Sequence, residues 1–287
     1  MKKNHHLLSA GILLLCCCAR LQAQEYKTHM SKTFAVNTKN TSAVLAVYNM
    51  FGSVKVEGYD GDQVVLEIDQ KITAKSQDEL EKGKAEFKFQ TEQLHDSIVV
   101  YISAPYDSRP KQNWAGNELN KRIQYKYYLD LVVKVPRAMH LRVSTIAEGN
   151  VEITDVYGNL FVSNVNGSVN IKNAKGITKA STVNGKLNIS YGTNPPDASD
   201  YRTVNGDITV YYKTSLDAEL FFKSMNGSYY TDFDNIEPIS KSLVKNNEAK
   251  ENKAVYRIER KSGIKIGNGG RQFHFETLNG NVYIKKS

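Results

Sequence analysis

The side chains of this 287-residue chain that could do chemistry are sparse and do not cluster. All three cysteines, Cys16, Cys17 and Cys18, lie together in an apolar run near the N-terminus. Beyond that run there is no thiol for nucleophilic catalysis, a disulfide or a cysteine-bound zinc. His5 and His6 precede the run. His29, His95, His140 and His274 are isolated, without the i, i+4 pair that sets two imidazoles on one helical face. A Gly-x-Ser-x-Gly elbow and a phosphate-cradling glycine loop are both absent. Carboxylates are plentiful, and two meeting across neighbouring coils could cleave a glycan. Asp155, Asp207, Asp217 and Glu219 are the nearest candidates, but solvated surface charges explain them better, because catalysis needs a cleft and a shifted pKa. Asp232, Asp234 and Glu237 could approach calcium, yet their spacing lacks the ligand series and glycine of an EF-hand. The reading is of a protein that is not an enzyme and holds no cofactor or metal.

Binding is the chemistry left. Trp114, the single tryptophan, stands on a polar loop from Asp107 to Arg122. There it can stack on a sugar ring or a partner, or fold back into a local pocket. Tyr127, Tyr211, Tyr212 and Tyr230 are expected to face outward and complete a candidate binding surface.

The elements that must carry these side chains are legible as a repeat. Five segments align without gaps: Ser163–Ile171, Ser181–Ile189, Arg202–Val210, Lys223–Thr231 and Glu276–Ile284. Each has Asn-Gly at its centre: Asn166-Gly167, Asn184-Gly185, Asn205-Gly206, Asn226-Gly227 and Asn279-Gly280. Looser copies surround Gly52 and Gly149. From Gly149 to Gly227 the glycines recur every 18 to 21 residues, which sets a coil length, and the longer gaps on either side read as insertions. After each glycine the apolar residues alternate, as in Val169 and Ile171 or Leu187 and Ile189, the period of a strand with one buried face. Asn164, Thr182, Thr203, Ser224 and Thr277 would stack at a corner, where Asn and Gly tolerate a positive φ. Asn-Gly between alternating runs is also a hairpin signal, so an antiparallel sandwich is the competing architecture. Likeness between consecutive copies favours coils lying like on like. The expected fold class is all-β, a single-stranded β-solenoid (β-helix) with a short capping helix and polar loop insertions.

Residues 74 to 93 read as the helix, with Ser76 as N-cap and Glu79 completing a capping box. Ile98–Ile102 and Tyr125–Pro136 are strand-like. Asp232 to Lys261 is polar with little to bury and reads as a mobile loop, and Gly267-Asn-Gly-Gly270 is a tight turn before the last coil.

The N-terminus is an address. Lys2 and Lys3 precede an apolar core from Leu7 to Ala19, and Leu21-Gln22-Ala23 suits cleavage before Gln24. The core is too short to span a membrane, and Leu15 before Cys16 disfavours lipidation without excluding it. Loss of residues 1–23 takes the formal charge from +8 to +5, with basic residues scattered, so no nucleic-acid partner is implied.

The run Leu131–Thr145, the repeated Asn-Gly frame, and Gly267–Gly270 before Phe275–Gly280 resemble the bacterial putative-adhesin family of β-solenoid domains. The resemblance covers nearly all of residues 24–287 and is densest from 129 onward. It implies an exported, envelope-associated protein and supplies no catalytic residues. The organisation expected is a signal peptide at 1–23 and one domain at 24–287. Residues 24–139 would form an N-terminal coil with helix and loop insertion, and 140–287 the repeat coils with a long loop at 232–262. The function expected is non-enzymatic binding of a glycan, or of an envelope or host protein, at the periplasm or cell surface. A periplasmic structural or stress-sensing module is the alternative, and a carbohydrate-active enzyme a minor one.

Overall fold

Two large sheets, of ten and eleven strands, hold most of the chain in a computed structural model that describes residues 23–37, 42–95, 97–110, 123–239, 243–246, 255–258 and 262–287. The expected leader up to residue 22 and Trp114 lie outside the described residues. Along the strands one side chain in two is buried, as in Val169–Ala174 and Ile208–Tyr212, and the inward rows of both sheets form one apolar core.

From His140 to Tyr212 the chain alternates between the sheets. His140–Ser144, Leu160–Ser163, Thr178–Ser181 and Ser199–Arg202 lie side by side in one, all parallel. Val151–Thr154, Val169–Ala174, Leu187–Tyr191 and Ile208–Tyr212 do the same in the other. Register sets like beside like: Val169 by Leu187, Leu187 by Ile208, Val162 by Ala180, Ala180 by Tyr201. The antiparallel sandwich is thereby overturned, because each Asn-Gly joins strands of different sheets rather than hydrogen-bonded neighbours. One strand from each sheet, joined through Asn-Gly, makes a level.

Spatial order departs from chain order at both ends. The level of Arg271–Asn279 and Val282–Lys286 lies between that of Ser199–Arg202 and Ile208–Tyr212 and that of Ala218–Asn226 and Tyr229–Thr231. The expectation that every coil rests on its predecessor fails there. The reason lies in the side chains. Phe273, Phe275, Val282 and Ile284 are fully buried in the inserted level, whereas in the level beyond it Ser224, Tyr229 and Thr231 are partly exposed at the end of one sheet, while Leu220 and Phe222 stay buried where Ser262–Ile266 continues the other. Phe275 packs between Tyr201 and Phe222, at centroid distances of 4.9 and 5.4 Å. At the other end, Ser97–Ala104 and Tyr125–Pro136 add a level outside Val44–Tyr48 and Val54–Tyr59. Antiparallel strands Gln63–Ala74 and Gln24–Ala35 then extend one sheet, and Lys88–Leu94 the other.

The helix is shorter than expected, Gln77–Glu86, because Ala74 ends one strand and Lys88 begins another. Ser76 does cap it, its hydroxyl accepting the Glu79 amide at 3.3 Å. Leu80 and Gly83 turn inward against the strands Gln63–Ala74 and Tyr125–Pro136. The expected mobile loop after Asp232 also carries structure. Ile236–Ile239 pairs with Ser262–Ile266, and Leu243–Asn246 with Val255–Ile258.

Candidate functional site

The Asn-Gly corners are structural. Asn184 Nδ2 donates to Asn166 Oδ1, Asn205 to Asn184, Asn279 to Asn205 and Asn226 to Asn279, at 2.7 to 2.8 Å. Each amide thus satisfies its neighbour and fixes the register. Beneath this ladder Thr182, Thr203 and Thr277 donate to the carbonyls of Gly167, Gly185 and Gly206 at 2.8 to 3.2 Å, and Asn164 to that of Gly149 at 2.9 Å. The corner glycines all serve close approach, and the expected positive φ is met only in part: Gly52 lies at +108° and Gly206 and Gly280 near +159° and +156°, whereas Gly149, Gly167, Gly185 and Gly227 do not have it. A Cβ on Gly185 would lie 2.1 Å from the Gly167 carbonyl oxygen of the next level, and Gly185 does not occupy left-handed space. The residue before each Asn stands half in solvent. Ile146, Val165, Val183, Val204 and Leu278 make an aliphatic row along the corner, and Met225 at its end is 75% exposed.

The tyrosines divide. Tyr212, expected outward, is wholly buried: its ring stacks between Tyr191 and Phe273, and its hydroxyl donates to Tyr201 at 3.0 Å. The strand parity places it inward, one residue beyond the half-exposed Tyr211. Tyr191 and Tyr201 share a 2.7 Å hydroxyl contact in the same cluster. Burial holds all three phenols above their ordinary range. Tyr230 is 52% exposed and stacks on Tyr283, which the sequence reading missed although it occupies the same frame position.

Tyr127 is also buried rather than outward, but its ring helps line a depression of about 390 Å3. Phe51, Tyr106, Tyr125 and Tyr128 complete the aromatic wall, with Ile123, Lys126 and Glu148 beside them. Phe51 meets Tyr127 edge-on at 5.4 Å and Tyr128 at 6.3 Å. Met50 Sδ accepts the Tyr127 hydroxyl at 3.3 Å. Phe87 closes the inner side of Tyr127 at 4.9 Å. Burial raises the Tyr127 and Tyr125 phenols, and Glu86, 3.0 Å from Tyr125, adds to the second. Both hydroxyls are therefore neutral donors across ordinary pH. An aromatic wall with a few polar atoms is the composition of a site for an apolar or sugar-like surface. It gathers residues of several levels, Phe51 and Glu148 from the two looser copies and the tyrosines from Tyr125–Pro136 and the segment before it, which is why the regular Asn-Gly copies did not reveal it.

The candidate carboxylates have other work. Asp207 accepts the Asn281 amide at 2.9 Å, Asp217 that of Asn268 at 2.8 Å, and Glu219 the Gln272 side chain at 3.2 Å. Asp155 pairs with Arg137 at 3.6 Å and with the Asn173 amide. Asp234 and Glu237 pair with Lys286 and Lys265, and Asp232 accepts the Lys286 amide. Among the described residues no three histidine, cysteine or carboxylate side chains gather to hold a metal, and no helix is long and apolar enough to cross a membrane.

No family model matches the chain, and no curated protein does. Solved structures are similar at a distance. A putative cell adhesion protein from Clostridium sporogenes is 11% identical over 91% of this chain and 100% of its own, with a TM-score of 0.40. A putative adhesin from Bacteroides fragilis is 11% identical over 91% and 97%, with a TM-score of 0.34. A putative lipid binding protein from Parabacteroides distasonis is 10% identical over 90% and 96%, with a TM-score of 0.26.

Proposed function

We propose that this is an exported, non-enzymatic protein of the cell envelope, an adhesin-like β-solenoid that binds a glycan or protein partner through its surface. The observation that carries the binding role is the aromatic depression around Phe51, Tyr127 and Tyr128. Its walls are rings, whose faces and edges suit sugar C–H groups or apolar side chains. Tyr128 is half exposed there, with Lys71 Nζ 4.7 Å from its ring centroid, so a cationic group already samples the ring face. The export reading rests on the N-terminal segment, Lys2 through Ala23.

Two measurements test the proposal. Protease added to intact cells digests the chain if it is displayed outside. Protection until the outer barrier is broken would replace the surface role with a periplasmic one, and pull-downs would then seek an envelope partner. Glycan and protein arrays probed with Tyr128→Ala beside the parent chain test the depression. Binding should weaken while stability stays within about 1 kcal/mol. Unchanged binding would move the site elsewhere.

A further inference from the structure

We infer that Asn226-Gly227, the corner of the last Asn-Gly level, is a self-modification site, where the folded chain closes a succinimide and opens it to aspartate or isoaspartate while the other Asn-Gly corners stay intact. The chemistry is open in principle to any Asn followed by Gly. The glycine nitrogen attacks the Asn side-chain carbon Cγ, and the new N–Cγ bond closes a five-membered imide. The Cγ–Nδ2 bond breaks, and the amide nitrogen leaves as ammonia with the glycine proton. Water then adds to either imide carbonyl, leaving an acid there and a peptide bond at the other. The reaction needs a glycine N–H that can give up its proton, an Asn side chain free to turn over it, and water.

The five corners are alike in sequence and unlike in structure. At Asn166, Asn184, Asn205 and Asn279 the glycine N–H is spent on the asparagine carbonyl of the next level: Gly167 on Asn184, Gly185 on Asn205, Gly206 on Asn279 and Gly280 on Asn226, at 2.9 to 3.1 Å. The Oδ1 of each also accepts the next amide. Both bonds stop at Asn226, because no Asn-Gly level follows it. Among the described residues nothing accepts the Gly227 N–H or donates to Asn226 Oδ1, and the side chain is held only by Nδ2 on Asn279 Oδ1 at 2.8 Å. The bond beneath the corner is missing too. Thr182, Thr203 and Thr277 each anchor a corner on the glycine carbonyl of the preceding level, whereas Ser224, in the same frame position, has a buried Oγ without a partner. The facing sheet continues past this level, but the pairing of Ala218–Asn226 with Ser262–Ile266 ends at Phe222 and does not reach the corner. Residues 225–230 are all exposed, so water has access. The remaining pair, Asn268-Gly269, lies in a turn where the Ile266 carbonyl holds the Gly269 N–H at 3.1 Å. Reaction at Asn226 undoes the end of the ladder. A carboxylate cannot donate to Asn279 Oδ1, and isoaspartate reroutes the main chain and displaces the carbonyl that holds the Gly280 N–H. Asn279-Gly280 then becomes the unclamped corner, so modification moves inward one level at a time and records the age of the folded chain.

The test incubates the full chain in mildly alkaline buffer, which speeds loss of the glycine proton, and maps its peptides by mass spectrometry over time. Each Asn is read as amide, imide or acid, and isoaspartate is separated from aspartate by chromatography. In the folded chain Asn226 should convert about tenfold faster, or more, than Asn166, Asn184, Asn205, Asn279 and Asn268, because a clamped corner must first break hydrogen bonds that Asn226 lacks. The same chain unfolded in guanidinium should convert all six at similar rates. Asn226→Gln, which can close only a slower six-membered imide, should abolish the early release of ammonia from the folded chain. A clamped corner or Asn268 that keeps pace with Asn226 in the folded chain overturns the inference, as does an Asn226 slowed by folding as much as they are. If Asn226→Gln fails to fold, the folded and unfolded rates of the parent decide alone.

Discussion

Replacing Gly185 with alanine adds one methyl group at a place where the neighbouring level has none to spare. The new Cβ would lie 2.1 Å from the Gly167 carbonyl oxygen, 2.6 Å from its carbon and 3.0 Å from the Ser168 nitrogen. All three are main-chain atoms, so no side chain can swing clear. The two levels must part by about 1 Å to restore ordinary contact. Parting weakens the bonds that cross that corner: Gly167 N to the Asn184 carbonyl at 3.1 Å, Thr182 Oγ1 to Gly167 at 2.8 Å and Asn184 Nδ2 to Asn166 at 2.8 Å. At about 0.5 to 1.5 kcal/mol net for each of the three bonds, their loss comes to about 1.5 to 4.5 kcal/mol. Gly270 supplies the contrast. It has φ +104° and nothing within 4 Å of an added Cβ, so Gly270→Ala costs about 1 to 3 kcal/mol through backbone strain alone. The two mechanisms separate by relief. Residues with short polar side chains enter left-handed backbone more readily, so Gly270→Asn should recover part of the loss, whereas Gly185→Asn should be at least as harmful as Gly185→Ala. Urea unfolding with m-values compared across the variants gives the numbers. A Gly185→Ala protein within about 0.5 kcal/mol of the parent would refute the close-approach argument, since methyl insertion into a fixed backbone contact cannot be that cheap.

Asn205→Ala removes an amide that both donates to Asn184 and accepts from Asn279, while Asn226→Ala removes one that only donates. The first should cost about 1 kcal/mol more by the same unfolding assay. Tyr201→Phe takes the shared partner from two buried hydroxyls, those of Tyr191 and Tyr212, and should cost about 1 to 3 kcal/mol, more than Tyr212→Phe. Burial raises the folded-state pKa of these phenols above the unfolded value of about 10. Their contribution is complete below that value and is lost as pH rises beyond it, so unfolding should be steeply alkaline, and circular dichroism against pH reads it directly. His29 bridges Asp69 at 2.8 Å and Glu67 at 2.9 Å, and the hydrogen bond to Asp69, followed by that to Glu67, raises its pKa. That bridge is complete below about 6.5 and fades as pH climbs through the raised value, and an NMR titration of the imidazole should lose part of its upward displacement in Asp69→Asn, the part due to Glu67 remaining.

How much could be read from the sequence depends on which interactions are local. The alternation after each glycine is set by the two-residue period of a strand, so Val169, Ile171, Leu187 and Ile189 were placed inward correctly. The corner side chains Asn164, Thr182, Thr203 and Thr277 were legible for the same reason, and all four are buried. Tyr212 was misplaced although its own strand carries the answer: Ile208 and Val210 are inward, and Tyr212 continues their parity. Tyr127 fails likewise, because Tyr125, Leu129 and Leu131 share its face. The aromatic depression was invisible from spacing, since Phe51 and Tyr127 belong to different levels and meet through pairing between them, with the Phe51 carbonyl accepting the Leu129 amide at 2.9 Å and Val54 lying beside Leu131.

The irregular copy turns out to carry the positional information that the regular ones lack. A parallel ladder of identical corners has no intrinsic end, because each level presents the next with the same amide, carbonyl and apolar row. Order must come from side chains that suit one neighbour and not two. Around Gly227 the frame reads Ser224, Met225, Tyr229 and Thr231 where the copy around Gly280 has Thr277, Leu278, Val282 and Ile284. Tyr229 can keep its hydroxyl wet only at an end, and Val282 and Ile284 repay burial only inside. The chain therefore reaches the end level first, returns through residues 232–262, and slips its most apolar copy between two others.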